Sequence, residues 1–198
     1  MKTEIVFILD KSGSMNSIRT DAIGGFNAFL DDQKTLKDDT TMTLVTFDSN
    51  YHKVFEDVKL DEVNNLTEKD YVPSSMTALY DAIGFTIESV TNRKTEDSRV
   101  LCCILTDGSE NKSMTYTQEA IFNMIDECKK TGWEFIFLAA NQDSMKSSKS
   151  LNISADNTMS FSATTDGLSN TYNLMSKATK MYRTSSGSSH SDLISKSK

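Results

Sequence analysis

The chain has 198 residues, with 21 Lys and Arg against 28 Asp and Glu, for a formal net charge of −7. A chain of this length favours one domain, or one domain with a tail, and buries roughly 70% of the surface its unfolded form exposes, so it needs no disulfide or metal staple to fold. The acidic balance argues against wrapping a phosphate backbone. Only 2 His and 3 Cys are available for imidazole chemistry or soft-metal binding.

Short apolar runs alternate with amphipathic stretches along the chain. Residues 4–9 (EIVFIL) form a continuous apolar run, the mark of a strand buried on both faces. Over 17–36, Ile18, Ala22, Ile23, Phe26, Phe29 and Leu30 recur at helical spacing. Residues 42–47 read as a second strand, and 51–58 alternate as a half-exposed edge strand would. A helix is predicted over 78–90, a buried strand over 99–105, a helix over 117–130 and a buried strand over 133–140. Residues 144–151 suit a short helix, 157–162 a last strand, and Leu168, Tyr172, Met175 and Tyr182 mark a final helix. Strands alternating with helices imply an α/β fold with a mostly parallel sheet covered on both faces. The short 48–51 connection suits a hairpin, so one antiparallel edge strand is expected. Residues 1–184 are read as one domain and 185–198 as a flexible tail, because half of those last fourteen residues are Ser.

No run approaches the about 20 apolar residues that span a membrane, and the N-terminal apolar run is too short for a signal-peptide core. Cys102, Cys103 and Cys128 show no CxxC spacing and read as buried, inert thiols, the adjacent pair on opposite faces of a strand. A cytoplasmic location is expected.

In open α/β sheets the ligand site lies beyond the carboxyl ends of the strands. Asp10-Lys11-Ser12-Gly13-Ser14 follows the first strand, Asp48-Ser49-Asn50 the second, Thr106-Asp107-Gly108 the 99–105 strand, and Asn141-Gln142-Asp143 the 133–140 strand, while Thr77 opens a helix. Asp10, Ser12 and Ser14 supply a carboxylate and two hydroxyls at alternate positions of one loop. Thr77 can add a fourth oxygen and Asp107 a second carboxylate. Oxygen donors without nitrogen or sulfur suit a hard cation such as Mg²⁺, which takes near-octahedral oxygen coordination. Each piece alone also reads as a helix cap or turn; their joint appearance at element ends favours a site. Asp81, one turn after Thr77, and Asn141 and Asp143 are candidates for a supporting role around it.

Phe7-Ile8-Leu9-Asp10-Lys11-Ser12-Gly13-Ser14-Met15, Met76-Thr77-Ala78-Leu79-Tyr80-Asp81-Ala82-Ile83 and Ile104-Leu105-Thr106-Asp107-Gly108 resemble, in order, the three motifs of von Willebrand factor type A domains, the integrin I-domain-like family, here of a stand-alone bacterial or phage kind. The likeness extends over about residues 3–183. It implies a Rossmann-like sheet of about six strands with one antiparallel edge. It also implies a metal-ion-dependent adhesion site at Asp10, Ser12, Ser14, Thr77 and Asp107, holding Mg²⁺ or Mn²⁺. Many relatives have glycines where Ser75 and Met76 stand.

The expected function is therefore a Mg²⁺-dependent protein-binding module that captures an Asp or Glu carboxylate of a partner, with no catalysis. The competing reading is a Mg²⁺-dependent phosphoryl-transfer enzyme of haloacid-dehalogenase type using Asp10. It wants an acid two residues later, where Ser12 stands, and an ordinary serine is a poor general acid. Neither G-x-S-x-G nor a nucleotide-binding glycine motif occurs.

Overall fold

A computed structural model of the chain describes residues 2–95, 97–140, 146, 148–185 and 192–197. Its six strands are β1 (Lys2–Asp10), β2 (Thr40–Phe47), β3 (Tyr51–Lys59), β4 (Ser98–Thr106), β5 (Trp133–Ala139) and β6 (Thr158–Ser160). They form one sheet in the order β3-β2-β1-β4-β5-β6. All pairings are parallel except β2 with β3, which is antiparallel through the 48–50 hairpin. The strand order reverses between β1 and β4. Their carboxyl ends meet at Leu9 opposite Leu105, so Asp10 and Thr106 emerge side by side.

The helices are α1 (Arg19–Gln33), α2 (Leu79–Thr91), α3 (Gln118–Lys130), α4 (Thr165–Thr184) and α5 (Leu193–Ser197). Alternation along β1 sorts them into two layers. Ile5, Phe7 and Leu9 face a core made with Phe26, Phe29 and Leu30 of α1 and Leu168, Tyr172 and Met175 of α4. Val6 and Ile8 face a second core made with Leu79, Ile83 and Ile87 of α2 and Ile121 and Ile125 of α3. A strand apolar at every position is what two covered faces require. Cys103 joins the first core and Cys102 the second, both fully buried, and burial raises their thiol pKa values.

Two expectations need correction or completion, and one stretch that carried none is ordered. The end of the chain is not all tail. Residues 193–197 form a helix whose Leu193 and Ile194 are 1% exposed, because two aliphatic side chains find room beside α4 and the 155–157 turn. The backbone N–H of Leu193 donates to the buried Asn157 Oδ1 at 2.6 Å. The stretch after β3 carried no prediction, yet it is ordered on α1. Asn27 both donates to Leu66 O and accepts from Leu66 N, Arg19 donates to Tyr71 O at 2.9 Å and to Glu68 O, and Lys34 donates to Val63 O. Of the short helix expected over 144–151, residues 148–150 are helical and 144, 145 and 147 lie outside the described residues.

Candidate metal centre

Asp10 is the last residue of β1 and is fully buried. Its Oδ1 accepts the Ser12 backbone N–H at 2.6 Å, and its Oδ2 accepts the Thr106 hydroxyl at 2.5 Å. Its carbonyl oxygen accepts the Tyr71 hydroxyl. A six-residue 3₁₀ turn at Gly13–Ile18 then leads into α1 and turns Ser14 back over the strand end. Ser14 Oγ donates to Asp107 Oδ1 at 2.6 Å and lies 3.2 Å from Ser12 Oγ. One connected set of oxygens thus joins Asp10, Ser12, Ser14 and Asp107 across two strand ends. Thr77, 3% exposed, stands beside it, since its Oγ1 would be 3.0 Å from a Cβ placed on Gly108. The absence of a side chain at Gly108 lets the Thr77 hydroxyl approach the Asp107 loop.

The loop bearing Thr77 is held from both sides. Gly13 N–H donates to Ser75 O at 3.1 Å and Ser74 N–H to Lys11 O at 2.8 Å, which lashes it to the Asp10 loop. Ser75 adopts φ 63, the left-handed conformation that a glycine would take without strain. On the other side, Thr77 N–H donates to Asn111 Oδ1 at 2.9 Å, and Asn111 N–H returns to Thr77 O at 3.0 Å.

Burial drives the Asp10 carboxyl up to about 6 from its ordinary 3.8, against the hydrogen bonds from Thr106 and Ser12, and the Asp107 carboxylate adds to the rise. Burial also raises Asp107. Among the described residues no cationic side chain pairs with Asp10. A buried carboxylate without a counter-charge is costly, and a cation at this spot would relieve it. Among the described residues no three His, Cys, Asp or Glu gather as a cluster. The donor set is two carboxylates and three hydroxyls, which fits a hard, oxygen-seeking ion.

The side-chain bonds of Asp81 run to the 114–116 turn. Its carboxylate accepts the backbone N–H groups of Met114, Thr115 and Tyr116 at 2.8 to 2.9 Å. Asn141 and Asp143 lie outside the described residues. Asp48, expected as a plain hairpin residue, is buried and pairs with Lys11 Nζ at 3.2 Å while accepting Ser74 Oγ at 2.9 Å. Lys11 therefore folds back instead of pointing into solvent. Those bonds, with the Asn50 N–H, hold the Asp48 carboxyl below its ordinary value in spite of burial. Met15 is core, whereas Met76 is exposed. Thr106, Tyr71, Asp48 and Asn111 are the organising residues that sequence reasoning missed. Only Thr106 sat inside a recognised motif.

A family model for the von Willebrand factor type A domain matches residues 4–179. The chain belongs to the von Willebrand factor type A family. Solved structures of similar fold include the vWF domain of the type V pili tip protein Mfa5 from Porphyromonas gingivalis, at 10% identity and a TM-score of 0.69, covering 95% of this chain and 98% of that one. Manganese-loaded TRAP protein of Plasmodium vivax aligns at 13% identity and a TM-score of 0.61, over 82% of this chain and 69% of that one. Proximal thread matrix protein 1 from the mussel byssus, with a zinc-occupied MIDAS motif, aligns at 18% identity and a TM-score of 0.60, over 86% of this chain. The type A chain spans only 44% of that mussel chain. A comparison with curated proteins returns no sequence match. Solved structures of similar fold thus include a manganese-loaded protein and one with a zinc-occupied MIDAS motif, and no helix among the described residues of this chain is long and apolar enough to cross a membrane.

Proposed function

We propose that this type A domain is a Mg²⁺-dependent protein-binding module and not an enzyme. Asp10, Ser12, Ser14, Thr77 and Asp107 would hold the ion, directly or through water. The ion's chemistry would be that of a Lewis acid with a position left for a carboxylate of a partner's Asp or Glu. The observation that carries the reading is the buried Asp10 carboxylate, without a cationic partner among the described residues and hydrogen-bonded into a run of oxygens from two strand ends. Three of the five donors are neutral hydroxyls, so the two carboxylates at most balance a divalent ion, and where one of them holds it through water the ion would stay electrophilic toward a partner carboxylate. Hard donors support Mg²⁺ or Mn²⁺ over softer ions.

A phosphoryl-transfer role for Asp10 finds no support in this geometry. The position two residues on, where that chemistry needs a general acid, offers the Ser12 hydroxyl, 3.2 Å from Ser14 Oγ. Three buried free cysteines support placing the chain in the cytoplasm, where thiols stay reduced. The test is capture of partner proteins on the immobilised chain in Mg²⁺ and in chelator, read by mass spectrometry. A partner retained only with Mg²⁺, and lost on Asp10→Ala, is the expected result. A partner retained equally in chelator would refute metal-mediated capture.

A further inference from the structure

Beside the donor set, the turn 110–116 between β4 and α3 is fixed far more firmly than a surface connection needs. Glu110 accepts the N–H groups of Lys112, Ser113 and Tyr80 and the Ser113 hydroxyl, at 2.6 to 2.9 Å. Asp81 accepts three further N–H groups from 114–116, and Asp81 N–H donates to Ser113 Oγ. The Tyr116 ring lies on Gly84 of α2, where a Cβ would be only 2.4 Å away, and meets Phe85 edge-on at 5.3 Å. Two carboxylates and a ring slot therefore clamp one turn.

What the clamped turn presents is unusual for such a well-bonded segment. Met114 is 86% exposed, the most exposed large apolar side chain among the described residues. Lys112 is also exposed, and no ion pair among the described residues involves it. Together with Tyr80, Glu110 and Asn111 they line an open depression of about 650 Å³. The depression adjoins the donor set, because its lining residue Asn111 is bonded to both backbone groups of Thr77. In the described loops around the donor set, Asp48 is paired with Lys11, and the Glu110 and Asp81 carboxylates are turned onto backbone N–H groups. The exposed Ser14, Asn50, Ser75, Ser109 and Asn111 of these loops are neutral.

We propose that the 110–116 turn is a specificity loop that reads the residue next to the captured carboxylate. The occupant that fits is a peptide segment of a partner protein in which an Asp or Glu is followed or preceded by an apolar side chain. The acid goes to the ion, and the apolar neighbour seats against Met114 and Tyr80. Lys112 selects against a basic residue at that place. Rigid presentation of an exposed methionine suits this task, since the loop spends no ordering entropy on binding and the thioether adapts to several apolar shapes. Asp81 and Glu110 are positioning residues of this loop. The inference rests on the metal-dependent capture proposed above.

The test is a synthetic peptide array with one central Asp and each of the twenty amino acids at either neighbouring position. It is probed with the full chain in Mg²⁺ and in chelator, beside Mn²⁺ titration calorimetry. Retention about tenfold stronger for Leu, Met or Phe neighbours than for Ser or Lys is expected in Mg²⁺. Met114→Ser should remove that preference and Lys112→Glu should admit basic neighbours, both with Mn²⁺ affinity within about twofold of the parent. Mg²⁺-dependent retention indifferent to the neighbour, or a preference that survives Met114→Ser, would overturn the specificity loop while leaving metal-mediated capture standing. Retention unaffected by chelator or by Asp10→Ala, or no retention of any peptide, would fail the capture reading and this inference with it.

Discussion

At the scale of single residues, the centre is organised around one unfavourable group. Asp10 is buried with hydroxyl and amide donors but no cation among the described residues, and its pKa sits at about 6. A carboxyl whose folded pKa lies above its unfolded value stabilises the fold below the unfolded value and loses that contribution as pH rises through the folded one. The metal-free chain should therefore lose stability from this group between about pH 4 and pH 6, by about 3 kcal/mol for a rise of about two units. Asp107, raised by burial, adds in the same direction. Asp32, Asp38 and Asp48 are depressed and act oppositely, so the comparison must be with a variant. Asp10→Asn should be more stable than the parent by about 2 kcal/mol at pH 7.5 in chelator, and the difference should vanish near pH 4. Denaturant unfolding at the two pH values measures both. A variant equal to or weaker than the parent at pH 7.5 would mean that Asp10 is not strained by its burial.

At the scale of elements, the site depends on three loops being lashed together. Asp48 is the common knot, joining Lys11 of the first loop to Ser74 of the second. Asp48→Ala leaves a largely buried lysine without its partner and frees the Ser74 hydroxyl. It should cost about 3 kcal/mol of stability and weaken Mn²⁺ binding about tenfold, read by chemical denaturation and calorimetry. Unchanged Mn²⁺ affinity would show that the loops hold their places without it. This knot also marks the limit of what the sequence discloses. The placement of Asp10, Ser12, Ser14, Thr77 and Asp107 at element ends along one edge of the sheet was legible, because they sit at fixed offsets from strands and helices that apolar periodicity reveals. The alternation of five parallel-type runs and one half-exposed strand disclosed the sheet in the same way. Asp48, Asn111 and Asp81 were not legible in their true roles. Each acts through a partner between 26 and 37 residues away in the chain, as with Asp48 to Ser74, Asn111 to Thr77 and Asp81 to Met114. Local pattern carries no information about such pairings. The 63–71 segment stayed unread for a related reason. Its backbone is satisfied by Asn27, Arg19 and Lys34 from the polar side of α1, which looks from sequence like an ordinary solvated face.

At the scale of the whole molecule, the end of the sheet away from the candidate metal centre is closed by the last two helices. The Arg183 side chain is fully buried and donates to Gln33 O and Oε1 and to Asp38, tying α4 to the end of α1. Arg99 stacks over the Tyr182 ring at 4.7 Å and donates to the carbonyls of Arg183 and Ser185. Helix α5 then adds Leu193 and Ile194 to the same core. Serine content masked this last helix in the sequence, because two adjacent aliphatics in a polar run give no period to read. Truncation after Ser185 should lower stability by about 3 kcal/mol, the burial of two aliphatic side chains, and leave Mn²⁺ affinity unchanged. A truncated chain that melts with the parent would return 192–197 to the status of a free tail.

The central claim is that the buried carboxylate and its four partner oxygens form a divalent-ion site. Calorimetric titration of the metal-free chain with Mn²⁺, alongside Asp10→Ala shown to be folded by circular dichroism, tests it most directly. The account predicts one ion per chain for the parent and at least a hundredfold weaker binding for the variant. No saturable binding at millimolar Mn²⁺, or binding undiminished by Asp10→Ala, would contradict it.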